Sequence, residues 1–223
     1  MIQIKNAAEL AQMRRACEIS AAALKAGGEA IEPGISTAEI DKIIYDFIVR
    51  HGARPNFLHL YGFPATACIS VNDTVIHGIP SRSQKIRPGD IVSIDTGCKI
   101  GGFNGDNACT YACGKVDLEA RRLMEVTKES LHRGIAMAQA GNRIGDISHA
   151  VQSYVEENGF SVVRSFVGHG VGKELHEDPE VPNFGNPGRG PRLVPGMTIA
   201  IEPMVNQKAF AVKTLADGWT VKT

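Results

Sequence analysis

Asp95 and Glu202 each end an apolar run that a Pro-Gly turn launches: Ile86–Asp95 reads IRPGDIVSID and Leu193–Glu202 reads LVPGMTIAIE. Pro88, Gly89 and Asp95 recur as Pro195, Gly196 and Glu202 at one constant offset (195 − 88 = 107). A bare carboxylate delivered into apolar surroundings is costly, so each copy reads as part of a cation site. Ile91–Cys98 and Phe103–Cys113 flank Lys99-Ile100-Gly101-Gly102 and read as a hairpin. Closing it with Lys99 opposite Gly102 sets Asp95 directly against Asp106. Facing carboxylates about 5 Å apart repel; a divalent cation would compensate, and the bland alternative is a solvated strand face. His169 lies between Gly168 and Gly170, whose lack of side chains lets backbone approach closely. Two Asp, one Glu and one His make an oxygen-rich set suited to Mn²⁺, Fe²⁺, Co²⁺ or Zn²⁺ rather than a thiolate-rich structural zinc. Two such cations would acidify a water near neutral pH, which makes hydrolysis the expected reaction class.

His77 in VIHGIP and His176 in ELHEDP each precede a proline-containing turn. They read equally well as rings that polarise and hold a substrate amide and as hydrogen-bonded core histidines. His51, His59, His132 and His149 lack acidic company and are expected at the surface.

The elements that must carry these groups follow from periodicity. Asn6 with Glu9, and Ser36 with Glu39, have capping-box spacing. The first opens a helix with Leu10, Met13, Cys17, Ala21 and Leu24 on one face; the second opens one burying Ile40, Ile43, Ile44, Phe47 and Ile48, stopped at Gly52. Helices are also expected over 117–140 and 143–158, the latter burying Ile147, Ala150, Val151, Tyr154 and Val155. Strand character is expected over 56–79 and 161–167, and a surface loop over 179–195, which holds five prolines. The offset of 107 extends upstream, Gly34, Ile40 and Gly52 recurring as Gly141, Ile147 and Gly159. So long a period argues for two fused halves rather than a solenoid. The expected organisation is one intertwined domain over 1–223, with halves of about 1–114 and 115–223.

Composition narrows the function classes. Lys plus Arg equals Asp plus Glu at 24 each, so no electrostatic footprint for nucleic acid or an anionic membrane is expected. The five cysteines are odd in number and form no CxxC pair, which fits free thiols in a reducing compartment. No apolar run reaches bilayer length and no signal peptide opens the chain; a cytoplasmic location is the expectation.

The strings ACISVNDTVIHGIP, IRPGDIVSIDTG, FNGDNACTY, VGHGVGKELHEDPEVPNFG, LVPGMTIAIEPM and DGWTVKT, in this order, resemble the type I methionine aminopeptidases of compact bacterial form. The resemblance implies an α+β pita-bread fold, a pseudo-two-fold antiparallel sheet backed by helices. It implies removal of the initiator methionine from nascent chains and peptides with a small second residue. Asp95, Asp106, His169 and Glu202 match the family's ligands for two divalent ions of the Co, Mn, Fe, Zn or Ni class, with Asp106 bridging. His77 and His176 match its substrate-contacting histidines, and Glu202 or a neighbouring carboxylate is expected to move the proton of the attacking water. Phe63, Cys68, Leu175 and Trp219 match the wall of its methionine pocket, with core packing as the alternative for Trp219. The expected partners are N-terminal peptide substrates and the ribosome from which nascent chains emerge, and the expected state is a monomer.

The chain ends at Thr223, before the strand on which the family carries one further metal-bridging glutamate. The expectation is therefore a C-terminally short domain with one ligand fewer per metal, and a non-catalytic or impaired module that binds peptide or protein is the competing reading. Xaa-Pro peptidases, which carry an extra N-terminal domain, rank last.

Overall fold

The computed structural model describes Met1–Thr223. Its elements are α1 (Ala7–Glu29), α2 (Thr37–Arg50), β1 (Arg54–Pro55), β2 (Ala67–Val71), β3 (Thr74–Ile76), β4 (Ile91–Ile100), β5 (Phe103–Ala112), α3 (Leu118–Met137), α4 (Ile144–Glu157), β6 (Ser161–Val162), β7 (Gly168–Gly170), β8 (Glu177–Val181), β9 (Val205–Asn206), β10 (Lys213–Thr214) and β11 (Val221–Lys222). Both capping boxes form: Asn6 and Ser36 accept from helix N–H groups while Glu9 and Glu39 reach back to the cap backbone. No helix is long and apolar enough to cross a membrane.

β4 is the spine of the main sheet. β5 pairs along one edge and β2, followed by β1, along the other, all antiparallel. Side chains alternate between faces along a strand. Val92, Ile94 and Cys98 of β4 and Ala67, Ile69 and Val71 of β2 join Ile40, Ile44 and Ile48 of α2 in the largest core. The intervening residues, Asp95 on β4, Cys68 on β2 and Asp106 on β5, lie on the opposite face. The helical layer thus turns the carboxylates away from itself.

The hairpin register differs from the expected one by two residues. Gly101 and Gly102 form a two-residue turn, both with positive φ (59° and 85°), so Ile100 faces Phe103, Asp95 faces Ala108 and Asp106 faces Gly97. A two-residue turn with both central residues left-handed matches strand twist, and closing over Gly101-Gly102 spares the β-branched Ile100 that conformation. Asp95 and Asp106 are therefore diagonal neighbours, not directly opposed. Because the slip is even, they still share a face.

The buried stripe of α1 is Met13, Ala16, Ser20, Ala23, Leu24 and Gly27, whereas Ala21 is exposed and Leu10 and Cys17 are half-buried. The stripe follows small residues because α1 lies almost against β5: a Cβ on Gly105 would sit 2.4 Å from the backbone of Ala16. Neither backbone can yield there, so Gly105→Ala should destabilise the fold by about 3 kcal/mol, read as a lower denaturation midpoint at unchanged m-value.

The second half repeats the first in part. α4 follows α2 by 107 residues at both ends, the isolated bridges Ser36↔Lys85 and Arg143↔Arg192 keep that offset, and Gly89 and Gly196 share φ values of 92° and 93°. The duplicated strand does not repeat. Leu193–Glu202 makes only an isolated bridge, Gly170↔Ile199, with Ala200 N–H donating to His169 O at 2.7 Å and Val171 N–H to Thr198 O at 3.1 Å. β4 has continuous ladder partners on both edges, whereas this run meets β7 only through these scattered bonds, and no regular strand forms.

Three further expectations are corrected. Residues 56–66 are not strand: a single 3-10 turn at Leu60–Gly62 intervenes, with His59 and Tyr61 left-handed. The strand over 161–167 stops at Val162. Glu177–Val181 pairs with β7 through the start of the expected surface loop, carrying Pro179 within it.

Candidate metal centre

Three elements bring three donors together. β5 supplies Asp106, β7 supplies His169, and the run docked along β7 supplies Glu202; their ligand atoms all lie within 4.8 Å of one another. Glycine makes the approach feasible. A Cβ on Gly168 would lie 2.3 Å from Ala200 O, and one on Gly170 2.2 Å from Asp178 O, so both neighbours of His169 must lack one. Asn183, itself buried, donates to Glu202 O at 2.7 Å and fixes the backbone behind that carboxylate. Nothing in the sequence pattern singled out Asn183.

The His169 ring is oriented through its far nitrogen. Nδ1 lies 2.8 Å from Gly170 O, a carbonyl that can only accept, so Nδ1 carries hydrogen and Nε2 is left to face Glu202 Oε1 at 3.1 Å and Asp106 Oδ2 at 3.4 Å. Burial lowers the affinity of this ring for a proton, but the carboxylates of Asp106 and Glu202 outweigh it and push the pKa up to about 10. Glu202 Oε1 is buried with no hydrogen bond of its own. A backbone-tethered imidazole whose Nε2 meets two carboxylates is the usual preparation of a metal ligand. One proton on Nε2 can serve one oxygen, whereas a cation serves all three groups, including the orphaned one. The donor set fits a divalent ion.

Asp95 lies outside the trio, one diagonal step from Asp106 on the same face. Burial, then the negative charges of Asp106 and Glu202, hold its carboxyl well above the usual carboxylate range. Positive charge placed among these acids would reverse that cost.

His77 and His176 flank the centre. The His176 ring stands edge-on to His169, centroids 4.4 Å apart, and stacks on Tyr61 at 6.1 Å. His77 sits edge-on to Phe166 at 5.6 Å and Trp219 at 6.2 Å, on a backbone with φ of 58°. Burial lowers the pKa of both, helped by the neighbouring imidazoles, so both are neutral N–H donors at pH 7. Beside them Phe63, Cys68 and Leu175 form a buried apolar cluster with Phe57 and Ala65, and Trp219 packs on it with its ring centroid 5.1 Å from that of Phe63. The four residues expected from the sequence to line a pocket are thus together. Phe57, Leu60, Ala65, Ile79 and Phe166 were not anticipated. The three-residue spacing of Phe57, Leu60 and Phe63, which matches one 3-10 turn, was the available signal.

A sequence model of the family described as metallopeptidase family M24 matches residues 11–221. The chain belongs to metallopeptidase family M24. Among M24 relatives, a methionine aminopeptidase of Clostridium perfringens is 55% identical over 223 residues, all of this chain and 89% of that one. Methionine aminopeptidase 1 of Bacillus subtilis is 51% identical, again over all of this chain and 90% of its own. The crystal structure of a methionine aminopeptidase from Thermotoga maritima superposes with a TM-score of 0.98 at 42% identity, covering 100% of this chain and 90% of that one. A prolidase from Pyrococcus horikoshii reaches a TM-score of 0.77 at 26% identity, with 90% of this chain matching only 55% of that one. The architecture is the pita-bread fold of M24.

Proposed function

We propose that this chain is a metal-dependent aminopeptidase that removes N-terminal methionine from peptides and nascent chains with a small second residue. The observation that carries the reading is a juxtaposition. A half-buried Asp106–His169–Glu202 trio with an unsatisfied oxygen stands one imidazole, His176, away from a buried apolar cluster. Relatives named as methionine aminopeptidases match the chain from end to end, whereas the prolidase match is weaker and partial.

Asp95, Asp106, His169 and Glu202 would hold two divalent ions of the Co, Mn, Fe, Zn or Ni class. Ions there acidify a water and polarise the scissile carbonyl. The protein's own groups do the rest. Phe63, Cys68, Leu175 and Trp219 take up the thioether side chain, whose flexibility suits an aromatic slot and whose polar competitors lose hydration on entry. Neutral His77 and His176 donate N–H bonds to the oxygen on which negative charge develops. The Glu202 carboxylate accepts the proton of the attacking water and delivers it to the leaving amine.

The test is a parallel assay of Met-Gly, Leu-Gly, Glu-Gly and Ala-Pro peptides with Mn²⁺ or Co²⁺. Met-Gly should be cleaved fastest, and Phe63→Ala should lower kcat/KM for it by about 30-fold, mostly through KM. Faster cleavage of Ala-Pro, or no cleavage of Met-Gly, would sink the reading.

A further inference from the structure

The geometry points to Lys5 and Glu177 as a positioning pair that sets His176 against the metal centre. The claim rests on the functional reading above, in which His176 touches substrate. Lys5 Nζ donates to Glu177 Oε2 at 2.6 Å, and the two side chains are only 5% and 9% exposed. The chain's other lysine and arginine ion pairs lie on far more exposed side chains. Those surface pairs contribute little. Breaking a buried pair strands a charge away from water and is strongly destabilising.

What the pair holds is the turn carrying His176. Glu177 uses its second oxygen, Oε1, to accept from Glu174 N–H at 3.1 Å, closing residues 174–177 around Leu175 and His176. Beneath the turn lies Gly172, where a Cβ would be 2.5 Å from Glu177 Oε1 and 2.6 Å from Lys5 Cε. The ion pair therefore packs straight onto the segment's backbone. Asn104, two residues before Asp106 on β5, pins the near end by donating to Gly172 O at 2.9 Å and Lys173 O at 3.0 Å. Lys5 pins the far end. Its own backbone N–H donates to Gly196 O at 2.8 Å, the glycine of the turn that launches the run ending at Glu202. One residue near the N-terminus thus ties the Glu202 run to the His176 turn.

The His176 ring is placed by packing between Tyr61 and His169, so its aim follows its backbone. An error of about 1 Å in a catalytic contact can cost about 100-fold in rate. The pair is a lever on catalysis without touching the reacting atoms.

The test compares Lys5→Met, Glu177→Gln and His176→Ala, each with Mn²⁺ on a Met-Gly peptide, together with the double variant Lys5→Met/His176→Ala. Lys5→Met should lower kcat about 100-fold with KM within about threefold, and Glu177→Gln about tenfold, since its amide still accepts from Lys5. In the His176→Ala background, Lys5→Met should cost less than about twofold further, because the group it positions is gone. Independently of turnover, amide exchange over residues 172–177 should quicken at least about tenfold in Lys5→Met, with β4 and β5 unchanged. Should Lys5→Met not fold, Glu177→Gln carries the same comparisons. Retained kcat, an equal loss in both backgrounds, or unchanged exchange overturns the inference. An inactive wild-type chain would sink the functional reading instead, and the exchange measurement would then decide the positioning claim alone.

Discussion

Asp106→Asn should lower hydrolysis of a Met-Gly peptide by about three orders of magnitude with Mn²⁺, the several kcal/mol of charge stabilisation that a correctly held cation contributes. Asp106 lies opposite Gly97 on β5, with Oδ2 3.4 Å from His169 Nε2. Asparagine keeps the shape but offers one neutral oxygen and two donors. Its amide would donate to Glu202 Oε1 and satisfy the oxygen left for a cation. The same change removes one of the like charges that push Asp95 and Glu202 above their ordinary range. Without metal that relief is set against the lost attraction between Asp106 and protonated His169, so the variant should melt within about 3 °C of the parent. Activity within tenfold of wild type would show that Asp106 is no ligand.

Divalent metal should raise the melting temperature strongly, and more so at higher pH. At about 100 times Kd the gain is about 2.7 kcal/mol, which corresponds to about 5–10 °C for a domain of this size. The pH sense follows from His169. Its folded pKa, about 10, lies above the ordinary histidine value of 6.5. The metal-free protein accordingly holds the stability of that proton in full below about pH 6.5 and loses it as pH rises towards 10. A cation must displace the same proton from Nε2, so its affinity rises by up to about tenfold per pH unit across this window. Melting curves at pH 6.5, 7.5 and 8.5, with and without Mn²⁺, should diverge as pH increases. Glu202→Gln should remove most of the shift. A metal-induced rise that shrinks with pH would contradict the His169 assignment.

Much of the scaffold was legible because it rests on short-range rules. Capping residues placed the starts of α1 and α2, and the branched aliphatic stripe of α2 placed its buried face. Most of the misreadings turn on contacts distant in sequence. α1 buries Ala16 against Gly105 of β5 and Gly27 against Ile44 of α2 while Ala21 faces outward, which no helical period of α1 alone reveals. The register of β4 and β5 is the local exception: it depends on which residues of the Lys99–Gly102 segment turn left-handed, and only a turn over Gly101-Gly102 spares Ile100 that conformation. The Leu193–Glu202 run copies the sequence of the β4 strand without copying its hydrogen bonds, since a strand needs neighbours that its own residues do not specify. At the candidate site, residue types were enough to bring Asp106, His169 and Glu202 into one group. Asp95 was expected in direct opposition to Asp106 and is displaced by a diagonal step. The apolar slot was only half visible, because Phe57, Leu60 and Phe63 converge through a bent segment whose composition looks extended.

The left-handed backbone of His77 changes how that position should be probed. Alanine carries the cost of a left-handed conformation without the imidazole, so a deficit in an alanine scan would mix a lost donor with a shifted main chain. Asparagine tolerates such dihedrals; comparing it with alanine separates local geometry from ring chemistry.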